Sequence, residues 1–205
     1  MTRSLTDGFL RLWSYVLNPV FVPGIVSLLY FRFFAFEDVR VMQSRMYLIL
    51  TLTAAIPLVI ALGLKLFRVI DSLHLPATRQ RILPLVLYAV LLIVTLRTVF
   101  SDGLFDTLYY FFIGTLLATI IAAVLAVVRY KVSLHLMAMG AVLGFTLVLQ
   151  KLTGLDLYYP LCAIIFLSGL LASSRLLFKA HRNHELLFGF LTGLICQLSI
   201  AVYVV

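Results

Sequence analysis

Seven apolar runs follow one another along the chain, with only short connections between them. A helix needs about 20 apolar residues to cross a hydrocarbon core of about 30 Å, and most of these runs are long enough. The composition agrees, because 63% of the 205 residues are hydrophobic and only 12% are charged. The alternation typical of barrel strands is absent, so the sequence predicts an all-α polytopic transmembrane bundle of six to seven helices. The expected segments are 19–35, 46–66, 83–100, 106–128, 133–151, 157–174 and 186–205.

The short connections predict that residues 1–205 form one membrane domain with no soluble domain attached. The N-terminal stretch 1–17 is interrupted by charges and has no apolar core, so we expect no cleavable signal peptide. This stretch is amphipathic, and Trp13 and Tyr15 are aromatic anchors typical of a helix that lies in the membrane interface. We therefore expect an interfacial helix ahead of the membrane segments.

The net charge of +8 comes from basic residues at the ends of the apolar runs. Such charges act as topology signals and contact anionic lipid, so nucleic-acid binding is not expected. If every apolar run crosses the bilayer, most of the bases and all the histidines fall on one side, here called side A. Side A holds Arg3, Arg11, Lys65, Arg68, Arg79, Arg81, Arg129, Lys131, Arg175, Lys179, Arg182, His74, His135, His181 and His184.

Three clusters on side A combine bases with histidine at the ends of predicted helices. They read HLPATRQRILP at 74–84, RYKVSLH at 129–135 and SRLLFKAHRNHE at 174–185. Arginine binds phosphate oxygens through parallel N–H groups, and a helix N-terminus adds free backbone N–H groups. Histidine can carry a phosphoryl group or protonate a leaving oxygen. The clusters therefore favour a site for phosphate chemistry.

Within the third cluster, His181 and Glu185 are four residues apart, or one helical turn, so the carboxylate can orient the imidazole ring. His135 is a second histidine that can act as the general acid. This chemistry requires neither a metal nor another cofactor, which fits a chain with only eight acidic residues. The candidates for holding phosphate are Arg79, Arg81, Lys131, Ser133, Ser174 and Arg175, with His74 and His184 as additional candidates.

The motif S-R-x5-H-x3-E, from Ser174 to Glu185, resembles the third signature, S-R-x5-H-x3-D, of the type 2 phosphatidic acid phosphatase superfamily. KVSLH at 131–135 resembles its second signature, PSGH, and ATRQRILP at 77–84 resembles the end of its first, K-x6-R-P. Members are helical membrane enzymes that hydrolyse lipid phosphates without a metal. The resemblance implies that His181 is the nucleophile, Glu185 its orienting carboxylate and His135 the general acid, and that Arg81, Ser133 and Arg175 hold the phosphate.

The sequence departs from the family pattern at five positions. Glu185 replaces the aspartate of the third signature, and Val132 and Leu134 replace the proline and glycine of the second. In the first, Pro84 follows the arginine by three residues rather than one, and His74 stands in place of the lysine. The third signature is therefore the best match.

The leading hypothesis is a phosphatase that uses a phosphohistidine and acts on phosphatidate, phosphatidylglycerophosphate or an isoprenyl diphosphate. A catalytically decayed relative would instead bind phospholipid without turnover. A histidine–metal enzyme would combine His181 and His184 with His74 and His135. A transporter would need charged or glycine-broken helices at the bilayer midplane, and the sequence has few of these.

The expected partners are the bilayer and a lipid phosphate, in a bacterial or archaeal cell membrane. Basic residues are more frequent on side A, so the positive-inside rule places the site in the cytoplasm. Bacterial members of the family that the chain resembles act on the outer face instead. The sequence does not indicate an oligomeric state.

Overall fold

A computed structural model describes residues 5–35, 38–72, 77–101 and 107–202, and these residues form helices and turns without a strand. The all-α prediction is confirmed. A π-helical turn, Thr51–Ala55, joins α3 to α4, and a 3-10 turn, Thr78–Arg81, leads into α5. The helices are α1 Leu5–Val16, α2 Val22–Phe33, α3 Val39–Leu50, α4 Ile56–Leu66, α5 Ile82–Val99, α6 Thr107–Val127, α7 Leu134–Thr153, α8 Tyr158–Leu177 and α9 Asn183–Ala201.

Within the described residues, six helical stretches are long and apolar enough to cross a membrane. Large apolar side chains such as Tyr159, Phe166 and Ile195 are exposed on them, which is the arrangement expected where lipid is the solvent. The chain is therefore an integral membrane protein with a polytopic helical bundle. The six stretches are Val39–Leu66, Thr78–Val99, Thr107–Val127, Leu134–Thr153, Tyr158–Leu177 and Asn183–Ala201.

The first two predicted segments differ from the structure. The first segment was predicted at 19–35, but the helix found there, α2, has only 12 residues. At 1.5 Å per residue this helix is about 18 Å long, which is short of a hydrocarbon core of about 30 Å. The second segment starts earlier than predicted, because the side chain of Asp38 accepts a hydrogen bond from the Arg40 N–H at 2.7 Å and caps α3. Arg40 and Arg45 therefore lie on a helix rather than in a loop.

The chain divides into two compact units. Unit 1 comprises Met1–Pro19 and Val132–Val205, and unit 2 comprises Val20–Lys131. Unit 1 thus contains α1 and α7 to α9, whereas unit 2 contains α2 to α6. The prediction of one functional domain over residues 1–205 stays a prediction.

In unit 1, α7 and α9 run parallel and pack closely because glycines line their facing surfaces. Gly140 and Gly144 on α7, and Gly189 and Gly193 on α9, each have the small-x3-small spacing that lets membrane helices approach. A methyl group added to Gly193 would meet the backbone carbonyl oxygen of Met137. The glycines therefore fix how far α7 and α9 can slide past each other.

A buried apolar cluster joins the three long helices of unit 1. Leu136 and Met139 of α7, Leu171 of α8 and Leu186 of α9 form it. Leu17, in the segment after α1, packs against this cluster. The N-terminal segment is thus tied to the core that supports α7, α8 and α9.

In unit 2, four buried serine and threonine hydroxyl groups are satisfied within their own helices. Each donates a hydrogen bond of 2.7 or 2.8 Å to the carbonyl oxygen four residues earlier. This bond lets a polar side chain lie inside a membrane helix without an unpaired donor. The residues are Ser27, Thr53, Thr95 and Thr119.

Candidate active site

A short polar contact in unit 1 joins His181 to Glu185. The Nδ1 atom of His181 lies 2.7 Å from Oε2 of Glu185, and the two side chains expose only 4% and 13% of their surface. An ionised carboxylate only accepts hydrogen bonds, so Nδ1 carries the hydrogen and a neutral ring keeps a lone pair on Nε2. The prediction that these two residues meet is confirmed.

The four-residue spacing had predicted a contact within one helical turn. In the structure the contact forms instead across the start of α9. His181 precedes the helix, Arg182 is its N-cap residue and Asn183 is its first residue. Glu185 reaches back over this end, because its Oε2 also accepts a hydrogen bond from the backbone N–H of Arg182 at 3.3 Å. A carboxylate at this position is stabilised by the positive end of the helix dipole. The start of the helix therefore holds the group that orients His181.

Ser133 connects the N-termini of α7 and α9. Its Oγ caps α7 by accepting a hydrogen bond of 3.4 Å from the Leu136 N–H, and its own N–H donates to the backbone oxygen of Glu185 at 3.0 Å. Ser133 thus starts α7, as predicted. A hydroxyl oxygen that accepts in a cap keeps its hydrogen for donation, so the cap does not use the hydrogen of the Ser133 hydroxyl group.

Ser14 of α1 contacts two of the predicted site residues. Nη1 of Arg175 donates to Oγ of Ser14 at 2.7 Å. Nε2 of His135 lies 3.3 Å from the backbone oxygen of Ser14, and this nitrogen carries the hydrogen because a carbonyl only accepts. Ser14 is itself buried. No sequence motif indicated Ser14, since a single serine in the predicted interfacial helix gives no signal of a long-range contact.

The end of α8 sets the positions of Ser174 and Arg175. Both lie in the last turn of the helix, and Ser174 is fully buried. The backbone N–H of Ala180 donates to the Arg175 carbonyl at 3.0 Å, while Lys179 adopts a left-handed φ of 49°. This closing turn is a Schellman arrangement, which ends α8 abruptly and turns the chain toward His181.

The remaining candidates lie at other positions of the chain. Arg79 is exposed in the 3-10 turn of unit 2, and Arg81 is the buried N-cap residue of α5 in the same unit. Lys131 is the last residue of unit 2 and is half-buried. His184 is exposed on α9. His74 lies outside the described residues.

The histidine–metal alternative has no assembled ligand set in the part of the chain that the structure describes. There, no group of three or more His, Cys, Asp or Glu side chains is placed to hold a metal ion. The carboxylate partner of His181 orients the ring, whose second nitrogen can then react or bind.

Protein-family models, curated proteins and solved structures give no match to this chain. Function is therefore inferred from the residues of unit 1 and from the motif resemblance. Of the predicted residues, hydrogen bonds join His181, Glu185 and Ser133 in one group, and Ser14 joins Arg175 and His135 in a second.

Proposed function

We propose that this protein is a membrane lipid phosphatase that forms a phosphohistidine at His181. The observation that carries the proposal is the buried contact between His181 Nδ1 and Glu185 Oε2 at 2.7 Å. A ring held at Nδ1 offers Nε2 as the nucleophile, and the carboxylate stabilises the positive charge that develops on the ring. The substrate is a phosphate monoester or diphosphate whose lipid tails stay in the bilayer.

The reaction has two transfers of the phosphoryl group. First, Nε2 of His181 attacks phosphorus and the bond from phosphorus to the lipid oxygen breaks, while His135 protonates the departing oxygen. His135 acts in this step as an imidazolium, and since the Ser14 carbonyl holds the hydrogen on Nε2, the proton to be transferred is the one on Nδ1. Second, water attacks the phosphohistidine and gives a proton back to His135, which releases inorganic phosphate and restores both histidines.

The phosphate needs positive charge and N–H donors. Arg175 supplies a planar guanidinium at the end of α8, and Ser133 lies at the N-terminus of α7, where the helix dipole favours an anion. The family resemblance also implies a phosphate-binding role for Arg81, and the sequence offers Arg79, Lys131 and Ser174 as further candidates. The charge bias favours a cytoplasmic site, and we place the protein in a bacterial or archaeal cell membrane.

A second candidate function is phospholipid binding without turnover. It is favoured by the burial of three site residues. Ser133 and Ser174 have no exposed surface, and His181, with its backbone included, exposes only 9%. It is also favoured by Leu134, which stands where the family that the chain resembles has glycine. A side chain in place of glycine can prevent the backbone from approaching a phosphate closely.

The test is phosphate release by the purified full-length protein in detergent. The substrates are phosphatidate, phosphatidylglycerophosphate, lysophosphatidate and an isoprenyl diphosphate, each with and without EDTA. His181→Ala is compared with Asn183→Ala, a matched change at an exposed position two residues away. We expect EDTA-resistant release that His181→Ala abolishes and Asn183→Ala retains, together with an acid-labile phosphoryl label on the wild type.

Two results would contradict this proposal. Phosphatidate that binds to the protein but is never hydrolysed would favour the lipid-binding function. Release that EDTA stops would favour a metal-dependent reaction, because a histidine nucleophile oriented by a carboxylate needs no metal.

A further inference from the structure

Helix α1 contributes Ser14 to the candidate active site, although none of the three sequence motifs includes this residue. Ser14 contacts Arg175 through its hydroxyl group and His135 through its backbone oxygen. These two partners come from different helices, α8 and α7, and both are predicted to act on the phosphate. One residue of the interfacial helix thus contacts two groups that the proposed reaction must align.

The contact with Arg175 leaves part of the guanidinium available. Ser14 Oγ accepts from Nη1 at 2.7 Å, while Nε of Arg175 is buried and has no hydrogen-bond partner among the described residues. A guanidinium is planar and rigid, so fixing Nη1 also fixes the direction in which the Nε–H edge points. That edge has the parallel N–H geometry that binds two oxygens of one phosphate. A buried donor without a partner is costly, and a bound phosphate oxygen would remove that cost.

The contact with His135 depends on the backbone and not on the side chain of Ser14. Its carbonyl oxygen lies 3.3 Å from Nε2 and keeps the hydrogen on that nitrogen. Substitution of the Ser14 side chain therefore removes the Arg175 contact and leaves the His135 contact in place. The two contacts can be separated by experiment.

The packing of α1 explains how Ser14 is held. Leu17 packs against the apolar cluster formed by α7, α8 and α9, and Ser14 is buried. Leu12, Tyr15 and Val16 of the same helix are exposed, as expected for side chains that meet the acyl boundary of a bilayer. One part of the helix is thus anchored on the site and the other is available to lipid.

We propose that Ser14 is a positioning residue that aligns Arg175 for phosphate, so that α1 completes the phosphate-binding part of the site. This inference rests on the proposed phosphatase function. The side chain of Ser14 raises the affinity for phosphate by acting through Arg175. The backbone oxygen of Ser14 supports His135.

The test uses the full-length protein in detergent, with inorganic phosphate as the ligand in a calorimetric titration and the best lipid substrate in a steady-state assay. The variants are Ser14→Ala, Ser14→Thr, Arg175→Lys and the double variant Ser14→Ala with Arg175→Lys. Ser173→Ala is the matched control, because its hydroxyl is exposed and donates only to the Gly169 carbonyl of its own helix, at 2.9 Å. Thermal unfolding of each variant shows whether the fold is retained.

We expect Ser14→Ala to weaken phosphate binding about tenfold and to raise KM by a similar factor, since it removes a hydrogen bond to a charged group. The pH dependence of kcat should not change, because the carbonyl that holds His135 remains. Ser14→Thr should restore binding. In the Arg175→Lys background the alanine change should have almost no further effect, whereas a purely structural role would give additive losses.

Some results would overturn the inference. Ser14→Ala with unchanged or tighter phosphate binding would show that the serine does not align Arg175, and so would additive losses in the double variant. A wild type that binds phosphate in a Ser14-dependent way but hydrolyses no lipid would refute the phosphatase function and leave the positioning role supported. A wild type that neither binds phosphate nor hydrolyses lipid would overturn both.

Discussion

The contact between His181 and Glu185 makes a quantitative prediction for the change Glu185→Gln. Glutamine has almost the same shape as glutamate but carries no charge, so it cannot stabilise a positive imidazole ring. It can still accept from the Arg182 N–H, as glutamine does in capping boxes. The bond from the Ser133 N–H to residue 185 uses the backbone oxygen and is unaffected. The variant should therefore fold with the N-termini of α7 and α9 in place.

The size of the effect follows from the burial of the pair. A hydrogen bond that involves a charged group contributes about 1.5–3 kcal/mol, more than a neutral one. Since about 1.4 kcal/mol corresponds to a tenfold change in rate, this range is about 10- to 150-fold in kcat. The side chains expose only 4% and 13% of their surface, so water screens the interaction weakly. We therefore expect kcat to fall about 100-fold.

The assay is phosphate release from the preferred lipid in mixed micelles, with thermal unfolding as the check on folding. Glu185→Asp is the matched comparison, because it keeps the charge and shortens the arm by one methylene group. It should retain more activity than Glu185→Gln. If Glu185→Gln stayed within threefold of the wild type while His181→Ala were inactive, the carboxylate would not be orienting the nucleophile and the argument from the 2.7 Å contact would fail.

Two further predictions concern the helices around the site. Gly193→Ala should lower the unfolding temperature and the activity together, because the added methyl group meets the Met137 carbonyl oxygen of α7. The control is Gly169→Ala, whose methyl group meets nothing within 4 Å, and it should lower neither. Equal unfolding temperatures for the two glycine variants would refute the close packing. Arg175→Lys should raise KM about tenfold or more with a smaller change in kcat, since lysine keeps the charge but loses the fork that binds two phosphate oxygens. A KM that did not change in steady-state assays would exclude Arg175 from phosphate binding.

The sequence was most informative where a single strong physical effect decides the structure. The later membrane helices, for example Leu134–Thr153 and Tyr158–Leu177, lie within a few residues of the predicted segments, because the hydrophobic run dominates in lipid. The α3 boundary was missed although its signal was present. Asp38 is a typical N-cap residue, but the charges of Arg40 and Arg45 favoured a loop.

Within the candidate site, local contacts were predictable and distant ones were not. His181 and Glu185 are close in sequence, and a carboxylate in the first turn of a helix commonly contacts the residues just before that helix. Ser14 and Arg175 are far apart in sequence, and their contact depends on how α1 packs on α8. No spacing rule encodes such a contact. The prediction of Ser133 as a cap succeeded because a serine directly before an apolar run is a local signal.

The glycine spacing on α7 and α9 was also present in the sequence, and its consequence for the site appears only in three dimensions. The two helices carry Ser133 and Glu185 at their N-termini, where one backbone hydrogen bond joins them. A slip of one turn would move these ends about 5.4 Å apart along the axis and break that bond. The close fit between Gly193 and Met137 opposes such a slip, because the helix backbones interlock there. The register of α7 and α9 therefore depends on residues that do no chemistry, and a change at Gly193 should reduce stability and turnover together, whereas His181→Ala should remove turnover alone.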